Sequence, residues 1–144
     1  PASQHQEQAW LSSMQMLERI VELSRSRNYQ MVFVVFPMEM QLSPEMLNLY
    51  RTKFRIRVDE AADFGEPQRR IKEFGERAGV PVLDLLPAFR AAHGKDLFLR
   101  NKSITYDPVH LSETGHEVAA EAIAVFLQCR ATNSRSRVRA KRGS

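Results

Sequence analysis

At 144 residues the chain is long enough for one domain that buries about two thirds of its unfolded surface. A hydrophobic fraction of 43% and a charged fraction of 26% are ordinary globular values and by themselves exclude little. The net charge of +4 belongs to the end of the chain: Arg130, Arg135, Arg137, Arg139, Lys141 and Arg142 stand there without an acid, leaving 15 basic against 17 acidic residues elsewhere, so no nucleic-acid partner is called for. The single Cys129 cannot form an internal disulfide, and no apolar run approaches the roughly 18 residues of a membrane span.

The first element spans about Gln6 to Arg27. Trp10, Leu11, Met14, Leu17 and Val21 recur at helical spacing with Gln15, Glu18, Arg19 and Glu22 between them, which predicts an amphipathic helix with one buried face, ended by Asn28. Trp10 reads as core packing rather than as part of a ligand stripe. Met31 to Phe36 is an unbroken apolar run closed by Pro37, the pattern of a parallel strand covered on both faces and lying inside a sheet. Ligands of open α/β sheets bind beyond the carboxyl ends of strands. Glu39 therefore occupies a possible pocket position as a second acid, although a solvated loop carboxylate is the plainer reading.

Ser43-Pro44-Glu45 opens a second helix with a side-chain cap, a proline in the first turn and an acid behind it. Arg51 to Arg57 is either more helix or a short edge strand. Its basic residues Arg51, Lys53, Arg55 and Arg57 suit a solvated face better than an anion site. Gly65-Glu66-Pro67 starts a third helix with Ile71, Phe74 and Ala78 inward, and Gly79 closes it. Val80 to Leu86 is a second strand, making a βαβ crossover and a parallel pair. Asp84 near its end has no companions for phosphoacceptor chemistry. Pro87 to His93 is one short helical turn broken by Gly94, and His93 reads as a surface residue. The final helix shows a capping box of Thr114 and Glu117 and an apolar face of Val118, Ala119, Ala122, Ile123 and Phe126. From Arg130 to Ser144 the composition is that of a disordered basic tail.

Directly before that helix lies Tyr106-Asp107-Pro108-Val109-His110-Leu111-Ser112-Glu113-Thr114-Gly115-His116. A carboxylate and an imidazole three residues apart supply what a serine nucleophile requires, a base for its proton and an acid group that sets the tautomer of that base. Pro108 and Val109 stiffen the loop between them. Adding His116 would give Asp107, His110 and His116 the look of a metal site, but three or four converging ligands are needed and no other stands nearby.

This block resembles the last conserved block of the SGNH, or GDSL, hydrolases, in which an Asp-x-x-His pair completes a Ser-His-Asp triad. The resemblance extends over roughly Trp10 to Leu127. It implies a three-layer αβα fold with a parallel sheet, SGNH or flavodoxin-like, and an ester hydrolase working through an acyl-serine on a small-molecule, carbohydrate or lipid ester, without a cofactor. Asp107 and His110 would be the catalytic residues. The Gly-Asp-Ser block and the Gly and Asn blocks of the family are not found, and the chain starts at Pro1, so residues 1–129 are expected to be the C-terminal part of such a domain. A non-catalytic α/β binding or assembly module, with Asp107 and His110 only bracing the last helix, is the alternative. Two parallel strands do not make a stable sheet alone. The stretch from Trp10 to Leu127, expressed by itself, is therefore expected to associate or to be poorly soluble; sedimentation and thermal denaturation check this, and a sharp monomeric two-state melt would contradict it.

Overall fold

A computed structural model describes residues 4–54, 64–92, 94–100, 103 and 107–142, with side chains except at 54 and 133–142. Its elements are α1 (Gln4–Ser26), β1 (Phe33–Val35), a 3-10 turn (Glu39–Gln41), α2 (Pro44–Phe54), α3 (Glu66–Ala78), β2 (Val82–Asp84), α4 (Leu86–Ala91) and α5 (Glu113–Arg142). β1 and β2 form a two-stranded sheet. The Phe33 N–H donates to Pro81 and the Leu85 N–H to Val35, so both strand numbers rise together, which is the slanted ladder of a parallel pair. The α/β class and the parallel pairing agree with the sequence. The inner-strand position does not: among the described residues the sheet has two strands, all six strand residues are half-buried, and Phe36 is exposed. No described helix is long and apolar enough to cross a membrane.

Two compact units are distinguished, Pro1–Phe33 with Gly65–Val82, and Val34–Phe64 with Leu83–Ser144. In the first, helix ends follow from single residues. Asn28 takes φ 57°, and the Tyr29 and Asn28 N–H groups return to the Ser24 and Arg25 carbonyls. Gly79, at φ 63°, repeats this for α3 with the Val80 and Gly79 N–H groups on Gly75 and Glu76. Both are left-handed caps that satisfy carbonyls a helix leaves unpaired. Arg25 also donates to the Ala78 carbonyl. The buried stripe of α1 centres on Val21, with Trp10, Met14 and Leu17 half-buried. Leu11 does not join it and is exposed, since one residue turns about 100° around a helix from Trp10. The Arg70 guanidinium lies 5.1 Å from the Trp10 ring centroid and pairs with Glu7 and Glu66. Trp10 thus packs under a cation, with its ring half-exposed.

The second unit has the tighter core. Leu85, Phe89, Leu97, Phe98 and Ala119 are buried together, with the Phe89 and Phe98 rings 6.1 Å apart. Ser43 caps α2 by accepting the Met46 N–H at 3.2 Å. Arg51 and Lys53 sit in the last turn of α2, where they complement the helix dipole, while Arg55, Arg57 and His93 lie outside the described residues. Asp84 accepts the Leu86 N–H at 2.9 Å and so starts α4. The Arg90 side chain from α4 donates to the Gln41 carbonyl at 3.2 and 2.8 Å.

α5 begins two residues earlier than its sequence suggested. Its cap is Ser112, whose hydroxyl accepts the Gly115 N–H at 3.1 Å while its carbonyl accepts the His116 N–H at 2.9 Å. Thr114 therefore lies inside the first turn. The inward face is Ala119 with Val118, Ala122, Ile123 and Phe126 half-buried, as the periodicity predicts. The backbone stays helical to Arg142, past Cys129. Ala, Arg and Lys are good helix formers, and neither proline nor glycine interrupts them before Gly143. Gly115 is buried, and a Cβ there would run into the Leu97 carbonyl oxygen and come within 3.2 Å of Leu111 Cβ. Gly115→Ala is expected to cost about 1–3 kcal/mol by overpacking at a backbone contact that cannot yield, read as a lower urea midpoint at unchanged slope.

Candidate active site

The loop from Asp107 to His110 folds upon a single carboxylate. Asp107 Oδ1 accepts the Val109 N–H at 3.1 Å and the His110 N–H at 2.9 Å, and Oδ2 lies 2.8 Å from His110 Nδ1. An aspartate followed by proline suits this turn. Its side chain takes up N–H groups two and three residues on, and Pro108, which has no N–H to satisfy, holds the backbone in place. The carboxylate is mostly enclosed while the imidazole is 75% exposed. An ionised carboxylate only accepts hydrogen bonds, so Nδ1 carries the proton of the neutral ring and Nε2 presents a lone pair to solvent. Among the described residues no hydroxyl or thiol bonds to Nε2.

The Asp107 carboxyl is held below its ordinary value, chiefly by the His110 N–H and then by the Val109 N–H, with the ring adding to them against the effect of burial. Its ionised form is accordingly favoured over that of a free carboxyl.

Two outer anchors hold the loop. The Glu39 N–H donates to the Pro108 carbonyl at 2.9 Å, and the Leu99 N–H to the His110 carbonyl at 2.8 Å, beside an antiparallel bridge between Phe98 and Leu111. Glu39 lies four residues after the end of β1, so the loop docks at the carboxyl end of that strand, where α/β sheets place their ligands. Ser112 completes the support: its N–H reaches Leu97 and its hydroxyl donates to the Asp96 carbonyl at 2.5 Å.

Glu39 is not the solvated carboxylate that its sequence position suggested. It is 6% exposed, accepts the Tyr50 O–H at 2.5 Å on Oε2, and is ion-paired through Oε1 to Arg100. Burial first, and the bond to Glu39 second, push the Tyr50 phenol far above its ordinary value, so Tyr50 remains a donor. The position of Glu39 just beyond a strand was the available signal. For Arg100 and Tyr50 the sequence carries none. His116 lies in the first turn of α5 and is exposed, and among the described residues no three His, Cys, Asp or Glu side chains group as metal ligands do.

The Asp107 and His110 pair thus sits on a loop at the carboxyl end of a parallel strand, with the imidazole exposed. The family model described as SGNH hydrolase-like domain, acetyltransferase AlgX, matches residues 2–143. The chain belongs to that family. No curated protein and no solved structure matches it. Membership in this SGNH hydrolase-like family agrees with the resemblance drawn from the Asp107 to His116 block and with the parallel strand pair.

The pH dependence of the loop follows from the depressed Asp107 carboxyl. Its contribution to stability is fully present above the unfolded value near 3.8 and is lost as the pH falls through the lower folded value. Titration of the Val109 and His110 amide resonances is expected to give one shared midpoint below 3.8, and Asp107→Asn is expected to abolish that transition.

Proposed function

We propose that this chain is the acid–base portion of an SGNH-type acyl-ester enzyme, with His110 as the general base and then acid, and Asp107 as the group that orients it. The observation that carries the reading is the 2.8 Å contact between Asp107 Oδ2 and His110 Nδ1, with the far side of the ring open. A serine Oγ on polypeptide outside this sequence would attack the ester carbonyl as its proton passes to Nε2. The same proton would then leave with the departing alcohol. A second hydroxyl compound, deprotonated by the same nitrogen, would take the acyl group from the serine. Water as that compound makes the enzyme an esterase. The matched family is named for an acetyltransferase, which supports an acetyl group as the acyl unit and a hydroxyl acceptor beside water. Substrates are thus acyl esters of a small molecule, carbohydrate or lipid.

One observation favours a non-catalytic role as the second reading. Asp107 Oδ1 already takes two backbone N–H groups and would brace the turn before α5 whether or not His110 performed chemistry. Turnover separates the two. In the longer protein that includes the nucleophile segment, His110→Ala is expected to lower kcat for p-nitrophenyl acetate by up to about 10⁶-fold, the scale of losing the base in a serine hydrolase. Unchanged hydrolysis in that variant, or no labelling of the parent by a fluorophosphonate, would decide for the bracing role.

A further inference from the structure

Three bonds and the chain from Leu99 to Arg100 form a closed circuit around the Asp107 loop. Glu39 holds the Pro108 carbonyl through its own N–H, and its side chain meets Arg100. Arg100 follows Leu99, whose N–H holds the His110 carbonyl. The two backbone donors that fix the loop, one inside the Asp-x-x-His turn and one at its end, are therefore joined to each other by an ion pair. Glu39 is 6% exposed, and the Arg100 side chain is 28% exposed. Tyr50 donates to the other carboxylate oxygen, which leaves Glu39 little freedom to turn away.

We propose that Glu39 and Arg100 are positioning residues, an ion-pair clasp that sets the separation of the two loop anchors and thereby aims the His110 ring. The proposal rests on His110 acting as the base, but the clasp has consequences that need no turnover. Without it, the Glu39 and Leu99 segments are free to move apart, and the turn must follow one anchor or the other. The turn then opens more often, and the bonds of Asp107 to the Val109 and His110 N–H groups and to the His110 ring are each made for less of the time. A carboxylate and guanidinium pair suits this task because its charge-assisted bonds are directional and shorter than neutral ones. Removing the Arg100 guanidinium also takes away a cation that faces the enclosed Glu39 carboxylate.

The test reads the ring itself. Nitrogen-15 NMR of His110 in this chain reports the share of the Nδ1–H tautomer, and hydrogen exchange reports the Val109 and His110 amides. Glu39→Gln and Arg100→Met are each expected to turn a predominantly Nδ1–H ring into a mixture of tautomers and to speed exchange of both amides at least tenfold. Arg100→Lys, which keeps the charge, is expected to fall between parent and Arg100→Met. In the longer protein Arg100→Met is expected to lower kcat for p-nitrophenyl acetate at least tenfold with KM within twofold. A folded Arg100→Met protein with its tautomer and both exchange rates within twofold of the parent overturns the clasp. Global unfolding of both variants overturns it as well, because the pair would then support the whole unit. An inert His110→Ala substitution with the tautomer effects intact refutes the catalytic reading and leaves the clasp standing.

Discussion

The Asp107 carboxylate is the constraint on which the rest of the site depends. Its three acceptor contacts, two to backbone N–H groups and one to the imidazole, use one side chain to fold a four-residue turn and to choose the tautomer of the ring at its end. A carboxylate that accepts backbone N–H groups is stabilised in its charged form. Here the same bonds that shape the turn keep the acid ionised, so geometry and protonation state cannot be changed independently.

Such a turn is useful only if the protein around it does not move, and the second unit supplies that rigidity from three directions. Leu99 and Glu39 hold two carbonyls of the loop from outside. Ser112 fastens the chain immediately after it to Leu97 and Asp96, and Gly115 lets the first turn of α5 approach Leu97 more closely than any side chain would permit. Beneath these lie the rings of Phe89 and Phe98 and the Leu85 side chain, all essentially excluded from solvent. The exposed imidazole therefore stands on a turn held by Glu39 and Leu99 and followed by a fastened Ser112.

Much of this was legible along the chain wherever the cause is local. Asn28 and Gly79 end helices because a left-handed residue suits that position, and Ser43 begins one because its oxygen reaches an N–H three residues on. The Asp-x-x-His turn is local in the same sense, and its bonds span at most three residues. What periodicity misjudged were choices between neighbours. Ser112 rather than Thr114 caps α5, since the hydroxyl and N–H of Ser112 also find partners at Asp96 and Leu97, sixteen and fifteen residues away. Leu11 was counted inward by spacing alone, but the helix turns Trp10 inward instead.

By itself the sequence determined the type of the helices and strands up to Cys129, the stops at Asn28 and Gly79, the closeness of Asp107 and His110 and the membership in an SGNH-like class, because each rests on contacts within a few residues or on a recognisable block. Only the tertiary structure decided that Glu39 is buried rather than solvated and that it meets Tyr50 and Arg100, residues 11 and 61 positions away. Pairings across such separations leave no periodic trace. They arise when the core brings the end of β1, α2 and the segment before the loop to one place, and a charge enclosed there persists only because its partners are enclosed with it.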